Sequence, residues 1–314
     1  MKIRRAGICA TDIHILHDLF PKIRPPHTMG HEFCGVVAEL GKNIREWNIG
    51  DRVTVESTAH FCGICPFCQS GQTQLCMQRL SYGNTTDGRF ASFVCVRQEA
   101  LHRLPEHIPF PEGALVEPLS CATHAVMEIS SILAGKVVLV TGPGPIGLLV
   151  LQVAKAIGAT VIITGIPRDK ERLRVASGLG ADHCFQVPEQ DPKNLIFEIT
   201  KGYGVDLAFE CSGSVGGLNY CIALVRKRGE IIQVGLLGRS VFFNPDEATL
   251  KEIHIKGTFA HNHESWLKAI DLVKNRKVDL KPLISGEFPL DRWQEPFELL
   301  EKGVGFKYLL YAIE

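Results

Sequence analysis

The stretch VVLVTGPGPIGLL, residues 137–149, limits the fold of this chain more than any other. An apolar run suited to a buried strand passes through Gly142, Gly144 and Gly147, in G-x-G-x-x-G spacing, straight into an apolar helical pattern. Glycines are needed there because the chain turns tightly, the backbone must approach a pyrophosphate closely, and the helix must pack against its strand. The free N–H groups and positive dipole at the helix start then hold the phosphates. A glycine-rich turn without a ligand is the alternative. The strand before the loop and the helix after it favour a dinucleotide site that includes Pro145 and Ile146.

From KVVLV onward, strand patterns alternate with helical ones: KVVLV, PIGLLVLQVAKAIG, TVIIT, RDKERLRVASGLG, DLAFEC, GEIIQVG and HIKGTF. That alternation predicts βαβ units on a doubly wound parallel sheet, an α/β Rossmann domain. Residues 1 to about 110 differ in texture. They are rich in Gly, Pro, Cys and His, with β-type runs CGVVAEL, DRVTVES and FASFVCV between turn signals, so a mostly β domain is predicted there. After about residue 260 come the helical HESWLKAIDLVKNRK, the amphipathic DRWQEPFELLEKG and the strand-like FKYLLYAI, a tail expected to return to the first domain.

At 314 residues the chain is long enough for two domains. Its formal charge is zero and it has no Lys/Arg block, which removes the electrostatic attraction behind non-specific nucleic-acid or anionic-membrane binding. The longest apolar stretch is interrupted by Gly, Pro, Lys and Gln and does not read as a membrane span. No signal-peptide pattern follows MKIRR, and eleven cysteines, an odd number, point to thiols and metal ligands in a reducing cytoplasm rather than to a disulfide framework. Small molecules and like subunits are the partners such a surface implies.

An NAD site commonly has an acid about 20 residues past the glycine loop, where it holds the ribose hydroxyls. Here VIITGIPRDKERL puts Gly165 at that place, followed by Arg168 and Lys170. Losing the carboxylate removes repulsion toward a 2′-phosphate, and a guanidinium can bind that group in two places. NADP is favoured and NAD stays open. The alternative is that the two basic residues only solvate the next helix.

CGICPFCQSGQTQLC holds Cys62, Cys65, Cys68 and Cys76. Two overlapping C-x-x-C hooks and a fourth thiol suit tetrahedral zinc with no open position, a metal that holds a lobe together and does no chemistry. An iron–sulfur centre and free or redox thiols are the other readings. A second polar set comprises Cys9, Thr11, Asp12 and His14 in AGICATDIH, His31 and Glu32 in GHEF, and Glu117 in VEPLS. Singly each has an ordinary structural explanation. Together, one thiolate, one imidazole and one or two carboxylates are the ligand types of a catalytic zinc that keeps a position for water or substrate.

At this point the chain resembles the zinc-dependent medium-chain alcohol dehydrogenases, in particular their sorbitol/L-iditol and threonine dehydrogenase branch. GICATDIH, GHEFCGVV, GDRV, the cysteine quartet, VEPLSCATHAV, the glycine loop and KEIHIKGTF occur in family order. The resemblance implies a GroES-like catalytic domain, residues 1–118 and 259–314, around a Rossmann cofactor domain, residues 119–258. It implies two zincs per chain: a catalytic one on Cys9, His31 and Glu32 with Glu117 close by, and a structural one on the quartet. Asp12 resembles the acid that orients the zinc histidine, and Thr11 and His14 resemble the relay that carries the alcohol proton to solvent. Val234, Gly235 and Leu236 with Thr258 and Phe259 resemble the segments that hold the nicotinamide end. A secondary alcohol on a polyol or sugar-like substrate is the implied hydride donor, with threonine or a sugar phosphate as the alternative, and a homodimer or homotetramer is the implied assembly. The family has a few dozen residues before its CGTDxH motif, so the first strands of the catalytic domain are expected to be missing. That leaves a catalytically silent zinc and nucleotide binder as the competing reading.

Overall fold

A computed structural model describes residues 1–19, 23 and 26–313. The chain divides into two units: Met1–Ser120 with Asn262–Asn275 and Leu280–Glu314, and Cys121–His261 with Arg276–Asp279.

The first unit is built on a six-stranded sheet. Its strands are β1 (Lys2–Gly7), β2 (Glu32–Val36), β3 (Arg52–Val55), β6 (Leu101–Arg103), β13 (Ile284–Pro289) and β14 (Lys307–Tyr311), in the order β13-β14-β1-β2-β3-β6. Only the β13–β14 pair is parallel. A short hairpin, β4 (Thr58–His60) with β5 (Leu80–Ser81), flanks the cysteine-rich loop. Ile3, Ala6, Phe33, Val53, Val55 and Tyr82 form one core, and the helix α1 (Ala10–Leu16) follows β1 directly. The tail supplies β13 and β14, so the last strand of the chain lies beside the first.

FASFVCV was expected to be a strand and is not one. Phe93 makes an isolated bridge to Lys2, and Met1 and Val94 exchange N–H···O bonds of 2.7 and 3.0 Å, but no ladder extends from them. This segment also borders a groove lined by Met1, Leu40, Trp47, Phe93 and Val96. β propensity needs a partner strand to take effect, and among the described residues this segment finds one isolated bridge.

The second unit carries six parallel strands: β7 (Val137–Thr141), β8 (Thr160–Gly165), β9 (His183–Gln186), β10 (Val205–Glu210), β11 (Val225–Gln233) and β12 (His254–Gly257). Their order β12-β11-β10-β7-β8-β9 reverses direction between β7 and β10, as the doubly wound expectation requires. β7 is central, and Val138, Leu139 and Val140 are fully buried, which is why the run is continuously apolar rather than alternating. The following helix α3 (Pro145–Ile157) is capped by Gly144 and starts on Pro145, whose fixed φ suits a first turn. The helix α2 (Val116–Thr123) lies where the chain passes from the first unit to the second.

Candidate functional site

In the first unit, β1, α1, β2 and β14 bring together residues far apart in sequence. Cys9 caps α1, with its own N–H donating to Asp12 Oδ2 at 2.8 Å. His31 immediately precedes β2 and Glu32 opens it, and the Cys9, His31 and Glu32 donor atoms all lie within 4.8 Å of one another. Glu117, buried near the start of α2, is outside that set, but its charge acts on His31 and Glu32. Asp12 is fully buried; its Oδ1 accepts the Gly30 N–H at 3.1 Å and lies 3.8 Å from His31 Nδ1. Burial raises the Asp12 carboxyl above its ordinary range, while His31 and the Cys9 and Gly30 N–H groups pull the other way. Burial depresses the His31 imidazole, but Asp12, Cys9 and Glu117 outweigh it and hold His31 well above its ordinary value.

Thr11 is half-buried, with its Oγ1 3.8 Å from Cys9 Sγ, and His14 is exposed three residues on along α1. Residues at that spacing share a helix face.

Two features bear on whether a cation fits. Glu32 Oε2 is buried without a hydrogen-bond partner, which is costly unless something else meets it. The donor set itself, one thiol, one imidazole and one carboxylate, matches zinc. The sequence reading missed Lys307, whose buried ammonium ion-pairs with Glu32 Oε1 and donates to the Ile8 carbonyl at 3.1 Å. Burial raises Glu32, and Lys307 opposes the rise. A lysine inside the apolar run FKYLLYAI was the available signal, because lysine is rarely buried unpaired. Gly7 was missed too: a Cβ there would strike the Glu32 carboxylate, so the glycine clears room for it.

The cysteine loop is self-contained. Cys62–Cys68, Cys65–Cys68 and Cys76–Cys62 sulfur separations are 3.9, 3.5 and 3.6 Å. Tetrahedral zinc with bonds of about 2.3 Å sets its sulfurs roughly 3.8 Å apart, whereas a disulfide needs about 2.05 Å. The Cys65 and Cys62 N–H groups each donate to a sulfur of the set at 3.4 Å, as thiolate ligands require.

In the second unit, a pocket of about 500 Å³ opens at the ends of β7 and β8. Gly142, Gly144, Gly165 and Arg168 line it; Pro145, Ile146, Gly147 and Lys170 do not. Gly142 has φ +89°, and a Cβ on it would meet Ser212 backbone at 2.7 Å, so both turn and packing demand glycine. A Cβ on Gly165 would meet Pro143 and Asp169 at 2.9 Å, so an acid there would require this wall to shift. Asp169 and Arg172, neither anticipated, also line the pocket and pair at 3.5 Å. Glu210, fully buried at the end of β10, accepts from Gln233 Nε2 at 2.7 Å, Ser212 N at 2.9 Å and Thr141 Oγ1 at 3.3 Å, tying three strand ends together beneath the loop. A glutamate closing the apolar DLAFE was its signal. Val234 and Gly235 follow β11 and both donate to the Glu210 carbonyl, while Leu236 and Phe259 are exposed. Thr258 follows β12, with its Oγ1 buried and unpartnered.

Residues 145–275 match the zinc-binding dehydrogenase family, and residues 1–106 match the alcohol dehydrogenase GroES-like domain. The chain is 41% identical over 315 residues to a sorbitol dehydrogenase of Halalkalibacterium halodurans, covering 100% of this chain and 91% of that protein. A D-arabitol-phosphate dehydrogenase of Enterococcus avium is 37% identical, with 99% and 88% covered. Among solved structures, a zinc-binding dehydrogenase fold from Sinorhizobium meliloti 1021 bound to NADP superimposes with TM-score 0.87 at 32% identity, covering 99% of this chain and 90% of that one. No helix among the described residues is long and apolar enough to cross a membrane.

Proposed function

Because the chain belongs to the family of zinc-dependent alcohol dehydrogenases, we propose that it oxidises a secondary alcohol of a polyol or sugar-like substrate, with Cys9, His31 and Glu32 holding the catalytic zinc and Glu117 beside them. The family makes it an NAD(P)-dependent oxidoreductase and a zinc protein acting on a small alcohol. The observation that carries the site is the convergence of the three donor groups within 4.8 Å, with Glu32 Oε2 otherwise unpartnered. A zinc ion bound there supplies the Lewis acidity that makes an alcohol hydroxyl acidic near neutral pH.

The chain's own residues do the remaining work. Asp12 holds the orientation of His31, the usual service of a carboxylate behind a ligand imidazole. Lys307 offsets one of the carboxylate charges, so that the set is not overloaded with negative charge. Thr11 receives the hydroxyl proton as it gives up its own toward His14, which faces solvent on the same helix face. The phosphates of the coenzyme sit on the loop 142–147 and the start of α3. Arg168 and Arg172 meet the adenosine 2′-phosphate, so NADP is the favoured coenzyme; the Sinorhizobium structure bound to NADP supports this. Val234, Gly235, Leu236, Thr258 and Phe259 hold the nicotinamide end. The quartet Cys62, Cys65, Cys68 and Cys76 holds the second zinc, residues 1–118 and 259–314 form the catalytic domain, and the protein works in the cytoplasm as a dimer or tetramer. The arabitol-phosphate relative favours a sugar phosphate as the second substrate reading.

Zinc per chain in metal-replete protein, wild type against Cys9→Ser, tests the site, and sorbitol, arabitol, arabitol phosphate and threonine screened with both coenzymes test the substrate. One zinc fewer in Cys9→Ser, with polyol-dependent reduction of NADP in the wild type, is the expected result. An unchanged zinc count with no turnover of any of the four would overturn the proposal.

A further inference from the structure

A third cluster of ligand-type side chains stands apart from both metal sets of the proposed function. Glu56 follows β3 directly, and its N–H is fixed on the Ala100 carbonyl at 2.9 Å. His102 sits opposite Thr54 in β6, the edge strand of the six-stranded sheet. His263 is the first residue of helix α4 (His263–Lys274), which is capped by Asn262. His102 Nε2 and His263 Nδ1 each lie 2.7 Å from the same oxygen, Glu56 Oε1. All three donor atoms lie within 4.8 Å of one another.

The surroundings hold the geometry. The His102 ring stacks on the fully buried Trp266, with centroids 5.7 Å apart, and the His263 ring lies 5.2 Å from it on another side. Glu56 and His102 are buried, whereas the His263 side chain is 57% exposed and forms the open mouth. A buried carboxylate facing two imidazoles is satisfied in one of two ways: two N–H donors, or one cation that all three ligate.

We infer that Glu56, His102 and His263 form a binding site for a divalent transition-metal ion of the zinc class, distinct from the Cys9 and Cys62 sets. Two imidazoles and one carboxylate favour zinc, cobalt or nickel over calcium or magnesium, which prefer all-oxygen sites. With bonds of about 2.0–2.1 Å, neighbouring tetrahedral ligands stand roughly 3.3 Å apart, so each nitrogen retreats about half an ångström from Glu56 as the ion enters. The exposed His263 makes that movement easy. The hydrogens at the two bonding nitrogens pass to the opposite ring nitrogens or to solvent, and water fills the remaining coordination positions. The bound ion clamps the first turn of α4 onto the β3–β6 edge of the sheet.

Equilibrium dialysis of the full chain against graded zinc, followed by elemental analysis, reads the number of ions per chain and their affinities. Wild type is compared with His263→Ala, with Glu56→Gln, with the exposed His107→Ala and with Cys9→Ser. The expected result is one zinc equivalent in the wild type and in His107→Ala that weakens at least tenfold in His263→Ala and in Glu56→Gln. In cobalt-loaded Cys9→Ser, His263→Ala should remove a weak d–d absorption free of thiolate charge-transfer bands. Identical zinc isotherms for wild type and His263→Ala would overturn the inference, as would an equal loss in His107→Ala. Cys9→Ser keeps the tests separate, because the His263-dependent ion should persist in it. If Cys9→Ser loses no zinc while His263→Ala does, the proposed catalytic ligand set fails and this site stands.

Discussion

The cysteine loop and the Cys9 site both gather metal-ligand side chains, but they do so by opposite means. The loop draws four ligands from fifteen consecutive residues, Cys62 to Cys76, and its backbone N–H groups support the sulfurs. The Cys9 site draws its ligands from the start of α1 and the start of β2, with a counter-charge from β14 nearly 300 residues away. Four thiolates would enclose an ion with no position left open, whereas the Cys9 site keeps the buried Glu32 Oε2 unpartnered. A local site can be made rigid by a few turns. A site with an open position needs the whole domain to hold its ligands apart, since nothing local prevents their collapse onto one another.

The largest effects should separate the two regions. Cys9→Ser is expected to reduce kcat/KM for the alcohol by more than the roughly 10- to 100-fold typical of losing a group that only supports a ligand, with little change in melting temperature. Cys68→Ser should do the reverse: melting temperature falls by on the order of 10 °C and residues 61–79 become sensitive to protease, because a structural zinc contributes directly to folding. Calorimetry and initial rates on the two variants check this. Equal losses of activity and stability in both would show that the two sites are not independent.

A comparable effect, felt in stability, should come from Lys307→Met, which keeps the length of the side chain and removes the charge. Glu32 would then face the interior without its partner, a change that costs about 3–5 kcal/mol where a buried pair is broken from one side. If Glu32 ligates zinc, saturating zinc should restore much of that stability in Lys307→Met, since the ion takes over the neutralising role. Melting curves with and without added zinc decide it. A loss that zinc does not relieve would make Lys307–Glu32 a structural pair alone.

The same contrast explains what the sequence made legible. The quartet, the glycine loop and the alternation of strands and helices are local patterns, and the parallel sheet with its reversal beside β7 follows from them. Lys307, Gly7 and Glu210 act through contacts between distant segments, and a single sequence shows them only as anomalies: a lysine or a glutamate in an apolar run, a glycine in a strand. FASFVCV shows the converse, because its alternation is sound but a strand exists only where another one pairs with it. The Glu56, His102 and His263 cluster joins three segments about 50 and 160 residues apart, a convergence that no spacing rule in the sequence marks.

The smallest expected effect concerns the coenzyme end, where locality fails even within one loop. Arg168 and Lys170 were the basic residues visible after Gly165, yet Arg168 and Arg172 line the pocket and Lys170 does not. Arg172 also neutralises Asp169, an acid inside the pocket wall. If Arg172 reads the 2′-phosphate, replacing it by Ala removes a guanidinium from that group and uncovers a carboxylate that repels it, two changes of the same sign. A charge-assisted hydrogen bond is worth about 1.5–3 kcal/mol, so the ratio of kcat/KM for NADP to that for NAD should fall about 10- to 100-fold. Arg168→Ala, which uncovers no acid, should lower the ratio less. If Arg172→Ala leaves the ratio unchanged, the guanidinium does not read the phosphate, and Asp169 becomes the group that selects the unphosphorylated ribose.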